Sequence, residues 1–230
     1  MLWDPDLVAA DRLRVQAFFT QALHQPAGFH THWHGAERPG YSGVATFSRT
    51  PPLSVATGLN DARFDPEGRV LRSVFEPFTL YNVYFPSGSQ GPERIAYKLS
   101  FYTRFLEVVG AAIAAGERIV VAGDVNTAYA PLDLARPREN ARTSGFMPHE
   151  REALGQFFAA GLVDTFRHVR PQAQKYSWWS QATNARARNI GWRLDYILVS
   201  PNLVPQIVDA DIHCAVYGSD HCPVSLTLDV

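Results

Sequence analysis

The segment RIVVAGDVN (118–126) is apolar at almost every position and then ends in Asp124 and Asn126. A run of this kind reads as a strand covered on both faces, which requires further layers around the sheet that holds it. The stretch before it, PERIAYKLSFYTRFLEVVGAAIAAG (92–116), opens on Pro92, repeats apolar residues at helical spacing and stops at Gly116. It is a long amphipathic helix. A second helical pattern, PHEREALGQFFAAG (148–161), follows a long polar loop. YSGVATFSR (41–49) reads as a strand, and RVLRSVF with FTLYNVYF (69–85) as a hairpin joined at Glu76 and Pro77. WRLDYILVS (192–200) and CPVSLTL (222–228) complete the strands. Strands outnumber helices, several helices follow strands, and no repeat or long linker intervenes. The expectation is one α/β domain of two packed sheets with helices on the outer faces.

At 230 residues, 46% hydrophobic and 12% aromatic, the chain holds enough apolar surface for one buried core, which excludes disorder as a whole-chain reading. A net charge of −1 neither supports nor excludes nucleic acid, so a polyanion would be met by a local patch or a metal. The two cysteines, Cys214 and Cys222, lack metal-ligand spacing and lie in apolar runs, so buried reduced thiols in a reducing cytoplasm are expected. No apolar run reaches the roughly 18 residues of a membrane span, and no leader pattern opens the chain.

The residues able to do chemistry sit where strands end. Asp124 and Asn126 follow VVAG, Tyr84 closes LYNVY, Asp195 interrupts GWRLDY, and Asp220 with His221 precedes CPVSL. Carboxylates, an amide, a phenol and an imidazole are the groups that metal-assisted phosphodiester hydrolysis uses. Tyr84, Asn126 and a cationic His221 would stabilise charge growing on phosphate oxygens, Asp124 would take the proton of a water nucleophile, and Asp195 would orient the His221 ring. Hard oxygen ligands favour magnesium. Structural alternatives stand beside these roles: a capped turn for Asp220 and His221, a core tyrosine for Tyr84, a turn former for Asn126, core rings for Trp178 and Trp179. His30, His32 and His34 alternate like one face of a strand and are read as exposed. Arg136, Arg138, Arg142, Arg186, Arg188 and Arg193 flank the motifs, and for most a solvated face is expected.

AGDVN, GWRLDYILVS and GSDHCPVSL, in this order, resemble the signature segments of the exonuclease III and apurinic/apyrimidinic endonuclease family, within the endonuclease/exonuclease/phosphatase superfamily. The likeness runs from GFHTHWHGAERPGYSGVATFSR to the C-terminus, and NARARNIGWRLDY with SGFMPHEREAL resembles the branch that includes the main eukaryotic apurinic endonuclease. The resemblance implies a four-layer α/β sandwich of two mixed sheets flanked by helices. It implies cutting of double-stranded DNA 5′ to abasic sites, with 3′–5′ exonuclease and 3′-end trimming in many members. A monomer dependent on magnesium, with manganese as an alternative, is expected in the cytoplasm, or at the nucleoid of a bacterium. Tyr84, Asp124, Asn126, Asp195 and His221 fall on the catalytic positions. Asp124, Asn126, Asp220 and His221 fall on the metal-associated ones. Trp178 and Trp192 match residues lining the pocket for a flipped-out sugar, and Asn140 matches a phosphate contact.

The chain departs from the family at its start. The family's second strand ends in a Gln-Glu pair whose glutamate binds metal, whereas PDLVAADRLRVQ (5–16) carries Asp11 and Arg12 there. The first central strand is therefore expected to be missing and the domain (1–230) to be incomplete at its N-terminus. A cation at the glutamate position opposes magnesium binding, which makes an impaired, DNA-binding homologue the alternative function. Gln90 and Ala182 replace larger groove-entering residues, and Ser87 and Thr143 replace phosphate-contacting asparagines.

Overall fold

The computed structural model describes residues 25–230, together with the backbone pairing of two N-terminal strands, β1 (Leu2–Trp3) and β2 (Leu7–Asp11). The first sheet adds β3 (His30–Gly35), β4 (Gly43–Ser48), β13 (Ile207–Ile212) and β14 (Val224–Leu228), in the order β13-β14-β1-β2-β4-β3. The second contains β5 (Ser54–Thr57), β6 (Val70–Val74), β7 (Thr79–Val83), β8 (Ile119–Asp124), β9 (Val163–Asp164) and β12 (Asp195–Val199), in the order β5-β6-β7-β8-β12-β9. A two-stranded ribbon pairs β10 (Trp178–Trp179) with β11 (Gly191–Trp192). The helices are α1 (Pro92–Ala114), α2 (Pro148–Ala159) and the short α3 (Thr165–Val169).

All six residues of β8 are buried, as its unbroken apolar run requires. Its alternate side chains serve two cores. Val120 and Ala122 pack with Leu80, Ile197, Ile212, Val224 and Leu226 between the sheets. Ile119 and Val121 pack with Phe101, Phe105 and Val109 of α1 and Phe157 of α2 on the outer face. The described residues thus show three of the four expected layers. α1 begins at Pro92, where a missing N–H costs nothing, and stops before Gly116 at φ 81°, a conformation in which Gly lacks the Cβ clash.

The first sheet corrects the expectation of an absent central strand. Leu2 and Trp3 stand between β14 and β2, with Leu2 paired to Val224 in parallel and to Ala9 antiparallel. Two residues occupy the position. No helix among the described residues is long and apolar enough to cross a membrane.

Candidate active site

β8 and β12 pair antiparallel with Asp124 directly opposite Asp195. Directly opposed residues send their side chains to one face, so the register alone brings two acids together at the sheet edge. Both are buried, and a buried carboxylate requires partners. His221 supplies the first: its Nδ1 lies 2.7 Å from Asp195 Oδ2 and its Nε2 3.9 Å from Asp124 Oδ2. Burial pushes the Asp195 carboxyl up, but the charge of His221 and hydrogen bonds from His221 and Ser177 outweigh this and hold it below its usual range.

Ser177 connects these elements. Its Oγ accepts the backbone N–H groups of Leu194 and Asp195, and its carbonyl accepts from Cys222 N at 2.8 Å. The neighbouring bridge between Trp178 and His221 sets the histidine beside β12.

Asp124 is closed on its other side by Asn126. The Asn126 backbone N–H donates to Asp124 Oδ1 at 2.8 Å, and its Nδ2 donates to Asp124 Oδ2 at 3.0 Å and to the Phe85 carbonyl at 2.8 Å. Both side-chain N–H directions are therefore used within the protein, and Asn126 anchors Asp124 in this geometry. The turn needs φ 56° at position 126, a left-handed conformation that asparagine tolerates.

Two residues of this support escaped the reading of the sequence. Lys98 Nζ donates to the Asn126 carbonyl at 2.7 Å and to Glu150 Oε1 at 2.7 Å, and both ionic side chains are fully buried. Lys98 lies in the same buried stripe of α1 as Phe101, Tyr102 and Phe105, a periodicity that marks an inward cation. Glu150 is the third residue of α2, where its Oε2 accepts from Met147 N and Gly145 N.

Beside the acid pair opens a cleft of about 670 Å³ lined by Asn126, Asn140, Trp178, Trp192 and Asp220, among others. Trp178 and Trp192 are cross-strand partners, and Trp178 Nε1 donates to Asp220 Oδ2 at 3.1 Å. Asn140 donates from Nδ2 to the Arg136 carbonyl at 2.9 Å. Ser87 and Thr143 also face this cleft. Tyr84 follows β7 with the Arg69 guanidinium 4.6 Å above its ring, and its neighbour Phe85 donates to the Asp124 carbonyl at 2.9 Å. All nine candidate residues thus gather at one edge of the second sheet. Asp124, Asn126, Asp195 and His221 are linked directly, and the rest border the cleft or β7.

Several other expectations change. His32 and His34 are half-buried, with His34 Nδ1 2.8 Å from the Val70 carbonyl, and only His30 of the three is exposed. Cys214 is half-exposed beyond β13, because the chain turns there before the ladder reaches it. Arg193 is buried against Asp133 and Asp164, and Arg136 lines the cleft.

Among the described residues no group of three or more His, Cys, Asp or Glu side chains converges on a metal position. Magnesium takes only one or two carboxylates and completes its shell with water and phosphate, so such a group is not required. Asp220, a carboxylate on the cleft wall, fits that role. Asp124 is enclosed by Asn126, and His221 is held by Asp195. The side chains of Asp11 and Arg12 lie outside the described residues.

The pattern of the Endonuclease/Exonuclease/phosphatase family matches residues 3–221. The chain is 40% identical over 228 residues to an exodeoxyribonuclease of Bacillus subtilis, covering 99% of this chain and 89% of that one. It is 37% identical over 231 residues to the DNA repair nuclease APEX1 of Danio rerio, covering 99% and 74%. Among solved structures, a 3′ phosphatase from Neisseria bound to a product DNA hairpin superposes with a TM-score of 0.90 at 28% identity, covering 98% of this chain and 89% of that one. An AP endonuclease from Archaeoglobus fulgidus superposes with 0.87 at 27% identity, covering 98% and 90%. The matched span holds every strand end that carries the acid pair, the histidine and the cleft, and the chain belongs to the endonuclease/exonuclease/phosphatase family, beside its exodeoxyribonucleases and apurinic/apyrimidinic endonucleases.

Proposed function

We propose that the chain is a DNA-repair phosphodiesterase that hydrolyses the backbone of duplex DNA 5′ to abasic sites and trims 3′ ends. The observation that carries this reading is the bonded series from Asp195 through His221 to Asp124 and Asn126, set beside a cleft walled by two tryptophans.

Asp195 accepts from Nδ1 of His221, so that ring is fixed in orientation with Nε2 turned toward Asp124. A scissile phosphate at the cleft edge would meet the imidazole as its principal cationic partner, which favours the charge that grows on the phosphate oxygens. Asp124, beside that ring, is the acceptor for the proton of the attacking water. Trp178 and Trp192 offer flat apolar walls to a sugar without its base, and Asn140 lies where the flanking phosphate would pass. Asp220 would hold a magnesium ion, which would supply Lewis-acid neutralisation of the phosphate charge. Arg12 at the glutamate position favours the second reading, a homologue that binds DNA without cutting it.

The test is a labelled duplex carrying one abasic analogue, and a second duplex ending in a 3′ phosphate, incubated with magnesium. Scission on the 5′ side of the lesion, with release of the 3′ phosphate, is the expected result. Retained duplex binding without either product overturns it in favour of the non-cutting homologue.

A further inference from the structure

Outside the acid cluster, the described residues place one other reactive pair together. Ile212, the last residue of β13, is paired with Val224 of β14, and His213 N donates to the Pro223 carbonyl beyond it, which brings Cys214, two residues past Ile212, beside Cys222, two residues before Val224. The sulfurs converge: Cys214 Sγ lies 3.4 Å and Cys222 Sγ 3.6 Å from the Tyr176 carbonyl oxygen. Their exposure differs in the manner of an attacking and a resolving thiol. Cys214 is half-exposed, and Cys222 is 1% exposed.

We propose that Cys214 and Cys222 form a peroxide-reactive dithiol whose conversion to an internal disulfide closes and immobilises the loop carrying Asp220 and His221. The Cys214 thiolate attacks one oxygen of hydrogen peroxide, the O–O bond breaks, and the departing hydroxide is protonated to water, which leaves a sulfenic acid. The Cys222 sulfur then attacks that sulfur. The S–S bond forms as the S–OH bond breaks, and the second hydroxide leaves as water with the Cys222 proton. Two thiols lose two electrons and one peroxide gains them, so no other reactant is needed. Cys222 beside it, working against burial, holds the Cys214 thiol below its ordinary value, which favours the thiolate that reacts.

The loop between the two sulfurs is built to register such a bond. Gly218 has φ 125°, Val216 and Tyr217 are exposed, and the Arg186 guanidinium lies 4.1 Å from the Tyr217 ring while donating to the carbonyls of Cys214 and Ser219. Cys222 follows His221 directly, and its N–H donates to Ser177, the residue whose hydroxyl accepts the Asp195 N–H. A covalent pull on Cys222 therefore reaches both partners of the His221–Asp195 bond. The effect on DNA cleavage rests on the function proposed above; the thiol chemistry does not.

The experiment treats the reduced full-length chain with hydrogen peroxide and maps its peptides without reduction, beside Cys214→Ser and Cys222→Ser. The expected result is a linked pair of peptides in the unsubstituted chain, reversed by dithiothreitol, and a dimedone-trapped sulfenic acid at Cys214 in Cys222→Ser. Amide exchange across 215–221 should slow in the oxidised chain, and its turnover on abasic duplex should fall about tenfold or more while Cys214→Ser is unaffected by peroxide. Dimedone capture at Cys214 of the unsubstituted chain without cross-linking overturns the pairing. A cross-linked chain with unchanged exchange overturns the coupling to the loop. A reduced chain that cross-links normally yet never cuts DNA refutes the function reading alone.

Discussion

Replacing Glu150 by alanine tests the buried support of the acid cluster. The carboxylate accepts from Lys98 Nζ at 2.7 Å, Ser144 Oγ at 3.0 Å, Gly145 N at 2.7 Å and Met147 N at 3.3 Å. Glu150→Ala leaves the Lys98 ammonium with the Asn126 carbonyl alone, at a position with no solvent exposure. Removing one partner of a buried ion pair costs about 3–5 kcal/mol, a large share of the roughly 5–15 kcal/mol that stabilises a domain. The cost should depend on pH with a defined sign. Burial already lowers the Lys98 amine below its usual value, opposed by Glu150, so deleting the carboxylate lowers it further. A lysine whose folded value is depressed carries its penalty in full below that value and loses it as pH rises toward the unfolded value near 10.4. Urea unfolding of Glu150→Ala should therefore show a loss of about 3–5 kcal/mol near neutral pH that shrinks at alkaline pH relative to the unsubstituted chain. The double variant Lys98→Met/Glu150→Gln, which buries no charge, should recover part of the loss. A cost below about 1 kcal/mol, or one that does not change with pH, would refute the buried-charge account.

Three further outcomes follow from the site and its surroundings. His221→Ala and Asp124→Asn should each abolish scission of an abasic duplex with circular dichroism unchanged, whereas Asp195→Ala should retain more turnover because it removes only the group that orients the ring. Trp178→Ala should weaken binding of abasic duplex more than of intact duplex in a fluorescence titration, and an equal loss for both would deny the cleft its role. Asp133, buried yet held below the usual carboxylate range by Arg193, Arg167 and the Ala130 N–H, contributes stability that is complete above its unfolded value near 3.9 and is lost as pH falls through its lower folded value. Asp133→Asn should therefore flatten the acid limb of a urea-midpoint against pH curve.

The parts of this site that local pattern specifies are the parts legible in the chain. The unbroken apolar run of β8 announces a buried strand, and a strand must end where its polar residues begin, so Asp124 and Asn126 stand at an edge whatever their neighbours. Asp195 and His221 stand at strand ends by the same rule. Their convergence is a matter of register, and Asp124 faces Asp195 only because β8 pairs antiparallel with a strand 71 residues further on. Pattern fails where a contact joins two unrelated signals. The stripe of α1 shows that Lys98 points inward, and the start of α2 shows that Glu150 caps a helix, yet neither shows that the pair, 52 residues apart, meets over Asn126.

The asparagine illustrates the same limit from the other side. Residue type suggests an amide free to hold a phosphate, but in the turn after β8 that amide donates to Asp124 and to Phe85. Burial of the acid thus decides the use of its neighbour. A buried carboxylate needs donors within the protein, and the Asn126 amide and backbone N–H supply them to Asp124. The arrangement is a series in which Lys98 and Glu150 hold Asn126, and Asn126 holds Asp124 beside the cleft.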